Sequence, residues 1–390
     1  MRLQRTRREL RRRFWIPAVA ALALVLAACS TESGPKNRQN SLRPSGRYAH
    51  KVDNLFTPVF FVAVIVGVLV IAAVIVFAIR FRVKPGQDVR PKQTHGSTPL
   101  EIGWTIAPAL ILLIIAVPTI STIFSLNETP KNAIDVTVVG KQWWWQFEYP
   151  RSSDGKRVVV ADELHIPVNR DVELSLTSCD ISLGGTPQDP GCNVIHSFWV
   201  PELAGKRDVV PGHDNKMKIR ADKPGVYLGQ CAEYCGLSHA NMRFRVIAES
   251  QSDYDAWIAG QRDGPATTLD DAGAAKNLFV TKFQCGNCHQ SEDSSISSYG
   301  PNLTHLASRS TFASGYYKLT REKLIEWIMD APSLVPMQSE DCRIGQGTPN
   351  VTCVGMPSFT KNTPNGNTKK YPTMTRQEAE TLADYLLSLK

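Results

Sequence analysis

Net positive charge is scarce in this chain once its first 28 residues are set aside. Arg2, Arg5, Arg7, Arg8, Arg11, Arg12 and Arg13 stand there against one acid, Glu9, so this short segment carries +6 (7 − 1) of a net +8 over 390 residues. The remainder is close to neutral, with no basic stripe interleaved with aromatics, which excludes nucleic acid as a partner. Charge is absent altogether from Phe56 to Ile79 (FTPVFFVAVIVGVLVIAAVIVFAI). An uncharged apolar run of about 20 residues or more is long enough to cross a bilayer core.

The arginine-rich start, the apolar run from Trp15 to Leu26 and the small residues after it read as a secretory signal over residues 1–28. The paired arginines also allow twin-arginine export. Leu26-Ala27-Ala28-Cys29 resembles a bacterial lipobox, in which Cys29 is lipidated and becomes the new N-terminus. The alternative is an uncleaved anchor with an incidental cysteine. Residues 29–50 are a polar linker. A membrane hairpin follows over 51–126, with helices expected at about 55–80 and 102–125, the second carrying Pro108 and Pro118. Neighbouring helices can satisfy the backbone groups that prolines free. The loop between them holds Arg80, Arg82, Lys84, Arg90 and Lys92, so the positive-inside rule makes it cytoplasmic. Both flanks are then outside, where a lipid-bearing Cys29 must also be. The expected location is a bacterial inner membrane, with everything after the hairpin on the periplasmic face.

From 130 to 250 the text is strand-like. IDVTVVGKQWWWQFEY, RDVELSLTS, NVIHSFWV, NKMKIRA and GVYLGQ are short β-branched or aromatic runs split by Pro, Gly and Asp. They imply a sandwich or barrel. Residues 251–268, with Gly260, Gly264 and Pro265, read as a linker. From 269 to 390 helical patterns take over, with Thr or Asp at their starts.

The segment Gly229 to Phe244, GQCAEYCGLSHANMRF, crowds Cys231, Glu233, Cys235, His239 and Met242 into one loop leaving a strand. Thiolate, thioether and imidazole favour copper, zinc or iron–sulfur over oxygen-preferring ions. The cysteine spacing alone permits zinc; the methionine argues against it, because zinc rarely takes a thioether. A mononuclear blue-copper site uses one cysteine, and here there is one too many. A second thiolate makes sense if both sulfurs bridge two coppers, each then needing a terminal imidazole. His239 supplies one, and His196 in NVIHSFWVPEL can reach the same end of a barrel. A structural disulfide between Cys231 and Cys235 is the alternative.

HSFWVPEL, KRDVVPGH and GQCAEYCGLSHANM resemble subunit II of the haem–copper cytochrome c oxidases over roughly residues 50–250. That resemblance implies a cupredoxin barrel on a two-helix anchor and a binuclear copper centre called CuA. It makes Cys231 and Cys235 bridging ligands, His196 and His239 terminal ligands, Met242 a weak ligand on one copper and the Glu233 carbonyl a ligand on the other. It also implies that the Glu233 side chain helps bind magnesium at the boundary with subunit I. It makes Trp143 the exposed point at which electrons arrive, and Glu101 a carboxylate at the mouth of a proton channel. On the residues alone, strand alternation puts Trp143 and Trp145 on one face and Trp144 on the other, where core packing also accounts for them. Glu101 is equally an interface carboxylate at a helix N-terminus. The chain departs from the family at Asn193, where an acid is common, and in an insertion containing Cys179 and Cys192.

Cys285-Gly-Asn-Cys288-His289 is the attachment signature for c-type haem, with His289 as proximal ligand. Gly300-Pro301-Asn302-Leu303 resembles the loop that supports this histidine in class I cytochromes c. The sixth ligand should be a late methionine. Met337, Met356 and Met374 compete, and Met356 is chosen because it precedes Pro357. His305 reads as a surface residue. Of nine cysteines, one goes to lipid, two to copper and two to haem; the remaining four pair as Cys179–Cys192 and Cys342–Cys353 in an oxidising compartment.

Copper and covalent haem on one anchored chain resemble subunit II of caa-type oxidases. The expected fold is a multidomain one: a transmembrane hairpin, an all-β cupredoxin barrel and an all-α cytochrome c domain. The expected partners are oxidase subunit I, other oxidase subunits and an upstream cytochrome c or bc-type complex. The oxygen site lies on another subunit. The rivals are the input subunit of a CuA-type nitric oxide reductase and a non-catalytic copper or haem electron-shuttle lipoprotein; the hairpin argues against the latter. The large second copper domain of nitrous oxide reductase is missing, and the intact copper ligands exclude a quinol oxidase subunit.

Overall fold

The computed structural model describes residues 39–83, 86, 93, 95–178, 194–264, 272–291, 299–337, 355–360 and 372–390. Cys29, Cys179, Cys192, Cys342, Cys353 and Asn193 lie outside them, as do Lys84, Arg90 and Lys92 of the basic loop.

Two long apolar helices come first, α1 (Arg47–Arg80) and α2 (Thr98–Asn127). Both start earlier than hydropathy suggests. The first turns of α1 are polar, and burial against the β-domain orders them: Tyr48 and Ala49 are buried, and Arg47 pairs with Asp171 at 3.3 Å. The end of α2 is held from the same side, because Lys218 Nζ donates to the Asn127 carbonyl at 3.1 Å. Lys51 of α1 donates to the Ser125 carbonyl of α2 at 3.1 Å. A cation on the last carbonyls of a helix also opposes its macrodipole. Pro108 and Pro118 sit inside α2 without ending it.

The β-domain consists of β1 (Ile134–Lys141), β2 (Trp144–Glu148), β3 (Val159–Ala161), β4 (Glu163–Pro167), β5 (Val172–Thr177), β6 (His196–Trp199), β7 (Arg207–Val209), β8 (Asn215–Ile219), β9 (Gly225–Cys231) and β10 (Arg243–Glu249). They form two five-stranded sheets, ordered β3-β2-β1-β5-β8 and β4-β10-β9-β6-β7. Pairing is antiparallel except for β1 with β5 and β4 with β10. The core between the sheets is apolar, with Trp145, Phe147, Phe198 and Phe244 fully buried. The run expected as a single tryptophan-bearing strand is instead a hairpin. It turns at Gln142-Trp143, with Lys141 paired to Trp144. Trp143 is therefore a turn residue, and the alternating-face reading does not apply to it.

Residues 251–262, expected to be linker, are a helix, α3 (Gln251–Arg262), capped by Ser250. Its Tyr254, Trp257 and Ile258 pack onto the core of the β-domain, one apolar stripe at i, i+3, i+4. Trp257 stacks on His165 with centroids 4.1 Å apart.

The C-terminal region has its own core, built on α4 (Ala272–Asn277), α5 (Arg321–Leu334), α6 (Arg376–Ser388) and a short hairpin β11 (Thr311–Phe312) with β12 (Tyr317–Lys318). Thr320 and Thr375 cap α5 and α6, the latter in a full capping box with Glu378. This region packs against the β-domain at Trp143, Asp162 and Glu163. At the junction Asp162 accepts from the Trp145 amide at 2.9 Å and the Ser314 amide at 3.1 Å.

Burial pushes Asp162 up from 3.8 to about 7, against the opposing pull of those amides and Arg309. A carboxyl raised in the fold binds its proton more tightly folded than unfolded, so stability falls as pH rises from about 4 to about 7 and is flat above that. The loss is ~4 kcal/mol at most. Asp162→Asn is expected to remove this slope, measured by thermal unfolding between pH 4 and 8; an unchanged slope would assign it to another group.

Candidate metal centre

Two strand ends and one loop assemble the site. Strands β6 and β9 pair antiparallel with Phe198 opposite Cys231, which brings His196 to the loop that follows β9. His196 is fully buried. Gly140 of β1 lies against it: a Cβ there would come within 2.9 Å of the imidazole. Trp145 closes the other side, edge-on at 5.9 Å.

The Sγ atoms of Cys231 and Cys235 are 3.8 Å apart, far beyond a disulfide bond. Cys231 Sγ lies 3.9 Å from His196 Nδ1 and 3.2 Å from the Glu233 carbonyl oxygen. Cys235 Sγ lies 3.6 Å from His239 Nδ1 and 3.7 Å from Met242 Sδ. All six residues singled out in the sequence therefore meet. Each sulfur faces one imidazole, and Met242 is fully buried. The ligand atoms of His196, Cys231 and Cys235 lie within 4.8 Å of one another.

The electrostatics call for a cation. A hydrogen bond from Cys235, joined by His196 and the Ser197 backbone, holds Cys231 well below the ordinary thiol range. The same neighbour, now a thiolate, and burial hold the Cys235 proton far above the ordinary thiol range. One thiolate forms readily, and two side by side need positive charge between them. Thiolates, imidazoles and a thioether are the donors that copper takes.

Sequence reasoning missed the support beneath Cys235. Its carbonyl accepts from Gln142 Nε2 at 2.7 Å and Trp143 Nε1 at 3.0 Å. Both donors sit in GKQWWW, and the signal was their position in a polar–aromatic turn rather than a strand. Trp143, expected to be exposed, is 8% exposed. The C-terminal region covers it, with Ser314 Oγ donating to its carbonyl. Glu101 is exposed in the first turn of α2.

A cavity of ≈ 260 Å³ lies where the C-terminal region meets this turn, lined by Cys285, Cys288, His289, Met337, Met356 and Trp143 among others. The Cys285–His289 segment is one tight turn, with the His289 amide donating to the Cys285 carbonyl at 2.9 Å. His289 Nδ1 sits 2.9 Å from the Pro301 carbonyl, so it donates there and leaves Nε2 as the free lone pair. Burial pulls the His289 pKa down and keeps the ring neutral. Gly300 makes this approach possible, since a Cβ would stand 2.7 Å from the imidazole. Burial pushes Cys285 to about 12 and Cys288 to about 11, so both are neutral thiols. Met374 is buried in the C-terminal core, its amide on the Phe359 carbonyl. His305, expected at the surface, is buried.

The family described as cytochrome c oxidase subunit II, periplasmic domain, matches residues 134–249, and the corresponding transmembrane-domain family matches 38–122. Cytochrome c oxidase subunit 2 of Alkalihalophilus pseudofirmus is 35% identical over 379 residues, covering 95% of each chain. Quinol oxidase subunit 2 of Bacillus anthracis is 29% identical over 270 residues, 67% of this chain and 86% of that one. Among solved structures, the periplasmic domain of subunit II of cytochrome oxidase from Bradyrhizobium japonicum is 26% identical with a TM-score of 0.29, covering 35% of this chain and 98% of that one. With the anchor, the β-domain and 35% identity to a relative over nearly its full length in agreement, the chain belongs to the cytochrome c oxidase subunit II family, the subunit of a haem–copper oxidase complex.

Proposed function

We propose that this chain is the electron-input subunit of a caa-type cytochrome c oxidase, holding a binuclear CuA centre and a covalent haem c. The observation that carries the copper reading is the pair of buried sulfurs 3.8 Å apart, each facing its own imidazole. Cys231 and Cys235 would bridge the coppers. His196 and His239 would be terminal ligands, Met242 and the Glu233 carbonyl would complete the set, and the Glu233 side chain would bind magnesium beside subunit I. Cys285 and Cys288 would attach the haem and His289 would ligate its iron. Met356 is the sixth ligand in this reading. It packs on the C-terminal core, whereas Met337 packs on the core of the β-domain. Bound there, the two groups supply one-electron transfer from an upstream cytochrome c or bc-type complex to haem in subunit I, for oxygen reduction to water with proton pumping.

The protein's own part is to hold these groups rigidly and out of water. Gln142 and Trp143 fix the Cys235 backbone, Gly140 and Trp145 fix the His196 ring, and Gly300 and Pro301 fix His289. Such partners of a metal ligand matter, since removing one costs ~10–100-fold in metal affinity or activity. Trp143, touching both the Cys235 carbonyl and the cavity lined by Cys285, Cys288 and His289, is the residue proposed to receive electrons. Cys29 is proposed as the lipid anchor, Glu101 as a proton-channel carboxylate, and Cys179–Cys192 and Cys342–Cys353 as disulfides. All but Glu101 of these last lie outside the described residues.

The test is purification of the intact complex, with metal and haem content and then oxygen and nitric oxide consumption. The reading expects two coppers and one covalent haem per chain with oxygen consumed. Nitric oxide consumption without oxygen consumption would replace it with the reductase alternative.

A further inference from the structure

Two consecutive acids of the β-domain, Asp162 and Glu163, are buried at 3% and 2% exposure and face the C-terminal region. Asp162 takes a left-handed conformation between β3 and β4, which turns its carboxylate toward Ser314. The Glu163 carboxylate accepts from the Ser310 amide at 3.1 Å, the Ser310 hydroxyl at 2.6 Å, the Thr311 amide at 3.0 Å and the Thr311 hydroxyl at 2.8 Å. One buried carboxylate thus gathers the donors of two successive residues from a segment about 150 positions away in sequence.

The captured segment is itself bent to fit. Ala313, Ser314 and Gly315 have φ of 52°, 58° and 68°. Left-handed alanine and serine are strained and persist only where the surroundings over-determine them. Successive amides in such a turn also form a concavity that suits an anion. Arg245 of β10 completes the grip, donating to the Gly315 carbonyl at 3.1 Å and to the Thr311 hydroxyl. The buried Arg309 guanidinium balances the two acids. A third tie reaches the haem-binding turn: Asn302, next to the carbonyl that holds His289, donates to the Val159 carbonyl of β3 at 3.0 Å.

We propose that Asp162 and Glu163 are a latch that clamps the Ser310–Ser314 segment onto the β-domain, and that the latch positions the Cys285–His289 cavity against the Trp143 turn. Its positioning role rests on the haem and copper reading above. Glu163 lines neither site, and Asp162 borders the Cys285–His289 cavity without being one of its proposed ligands. The two acids act by holding one redox unit at a fixed seat on the other, so that electrons cross without a docking search.

The test uses the intact complex carrying Glu163→Ala, with Glu163→Gln as a milder variant that keeps one acceptor should the alanine fail to fold. Amide exchange at Ser310, Thr311 and Ser314 is expected to rise about 10-fold or more in the alanine variant and less in the glutamine one. After flash reduction of the haem, transfer to copper is expected to slow at least ~10-fold, with haem and copper absorption unchanged. Unchanged exchange would overturn the latch. Faster exchange with an unchanged transfer rate would overturn its positioning role. Should the wild-type chain carry no covalent haem by its pyridine haemochrome spectrum, the positioning role falls with the haem reading, and the exchange result still decides the latch.

Discussion

Cys235→Ser is expected to abolish the binuclear copper signal and lower oxygen consumption at least ~100-fold, above the range for loss of a ligand's supporting partner. The magnitude follows from where the sulfur sits. Cys235 Sγ is within 4 Å of Cys231, His239 and Met242, so it joins both halves of the site. A serine hydroxyl is a poor soft ligand and stays protonated, so it cannot bridge. The backbone should hold, because Gln142 and Trp143 bind the Cys235 carbonyl rather than its side chain. The readout is the copper hyperfine pattern, expected to change from two equivalent nuclei to one, alongside copper per chain. The haem band should be untouched, since Cys285 packs on the separate C-terminal core and the substitution leaves the Cys285–His289 turn intact. Copper content and hyperfine pattern that match wild type would rule out the bridging role. Met242→Leu is expected to perturb the same spectrum far less, because Met242 touches only one of the two sulfurs.

How much of this site could be read from sequence depends on how far apart its parts lie along the chain. Cys231, Glu233, Cys235, His239 and Met242 occupy one loop, and their donor types, with a second thiolate beside a thioether and an imidazole, suggest two metals. His196 comes from 35 positions away. Its strand position made it a candidate from the residues, but its place at the site depends on the pairing of β6 with β9, which no local pattern reveals. Gly140 carries no metal-ligand chemistry and gave no signal as support, and the only signal of Gln142 was its place in the polar–aromatic stretch GKQWWW. The burial of Trp143 depends on Ser314, 171 positions on. A strand pattern cannot show that the chain's own later segment covers it. The α3 helix was a different kind of miss. Gly260, Gly264 and Pro265 drew the boundary too early, although Tyr254, Trp257 and Ile258 already stood at helical spacing. The membrane hairpin was the easiest part, since solvent exclusion writes itself into composition. Its polar ends were harder, because contacts with Asp171, Ser125 and Lys218 decide them.

His289→Ala is expected to cut oxygen consumption driven by an upstream donor at least ~100-fold while leaving the copper spectrum as it is. The ring is oriented from both sides. Its Nδ1 faces the Pro301 carbonyl at 2.9 Å, and Gly300 offers no side chain to displace it. A single tautomer is thereby fixed, with Nε2 as the free lone pair, the condition for a stable axial ligand. Gly300→Ala probes the same support without removing the ligand. Its Cβ would stand 2.7 Å from the imidazole and 3.0 Å from the Cys288 carbonyl, so the loop or the ring must shift. The expected loss there is smaller, ~10-fold, with a visible change in the haem band. A small reductant able to reduce copper directly should restore oxygen consumption in both variants, because the copper loop does not depend on His289. Restoration places the C-terminal group upstream of copper. If the small reductant fails as well, the two centres are not arranged in series, and the C-terminal region serves some purpose other than electron input.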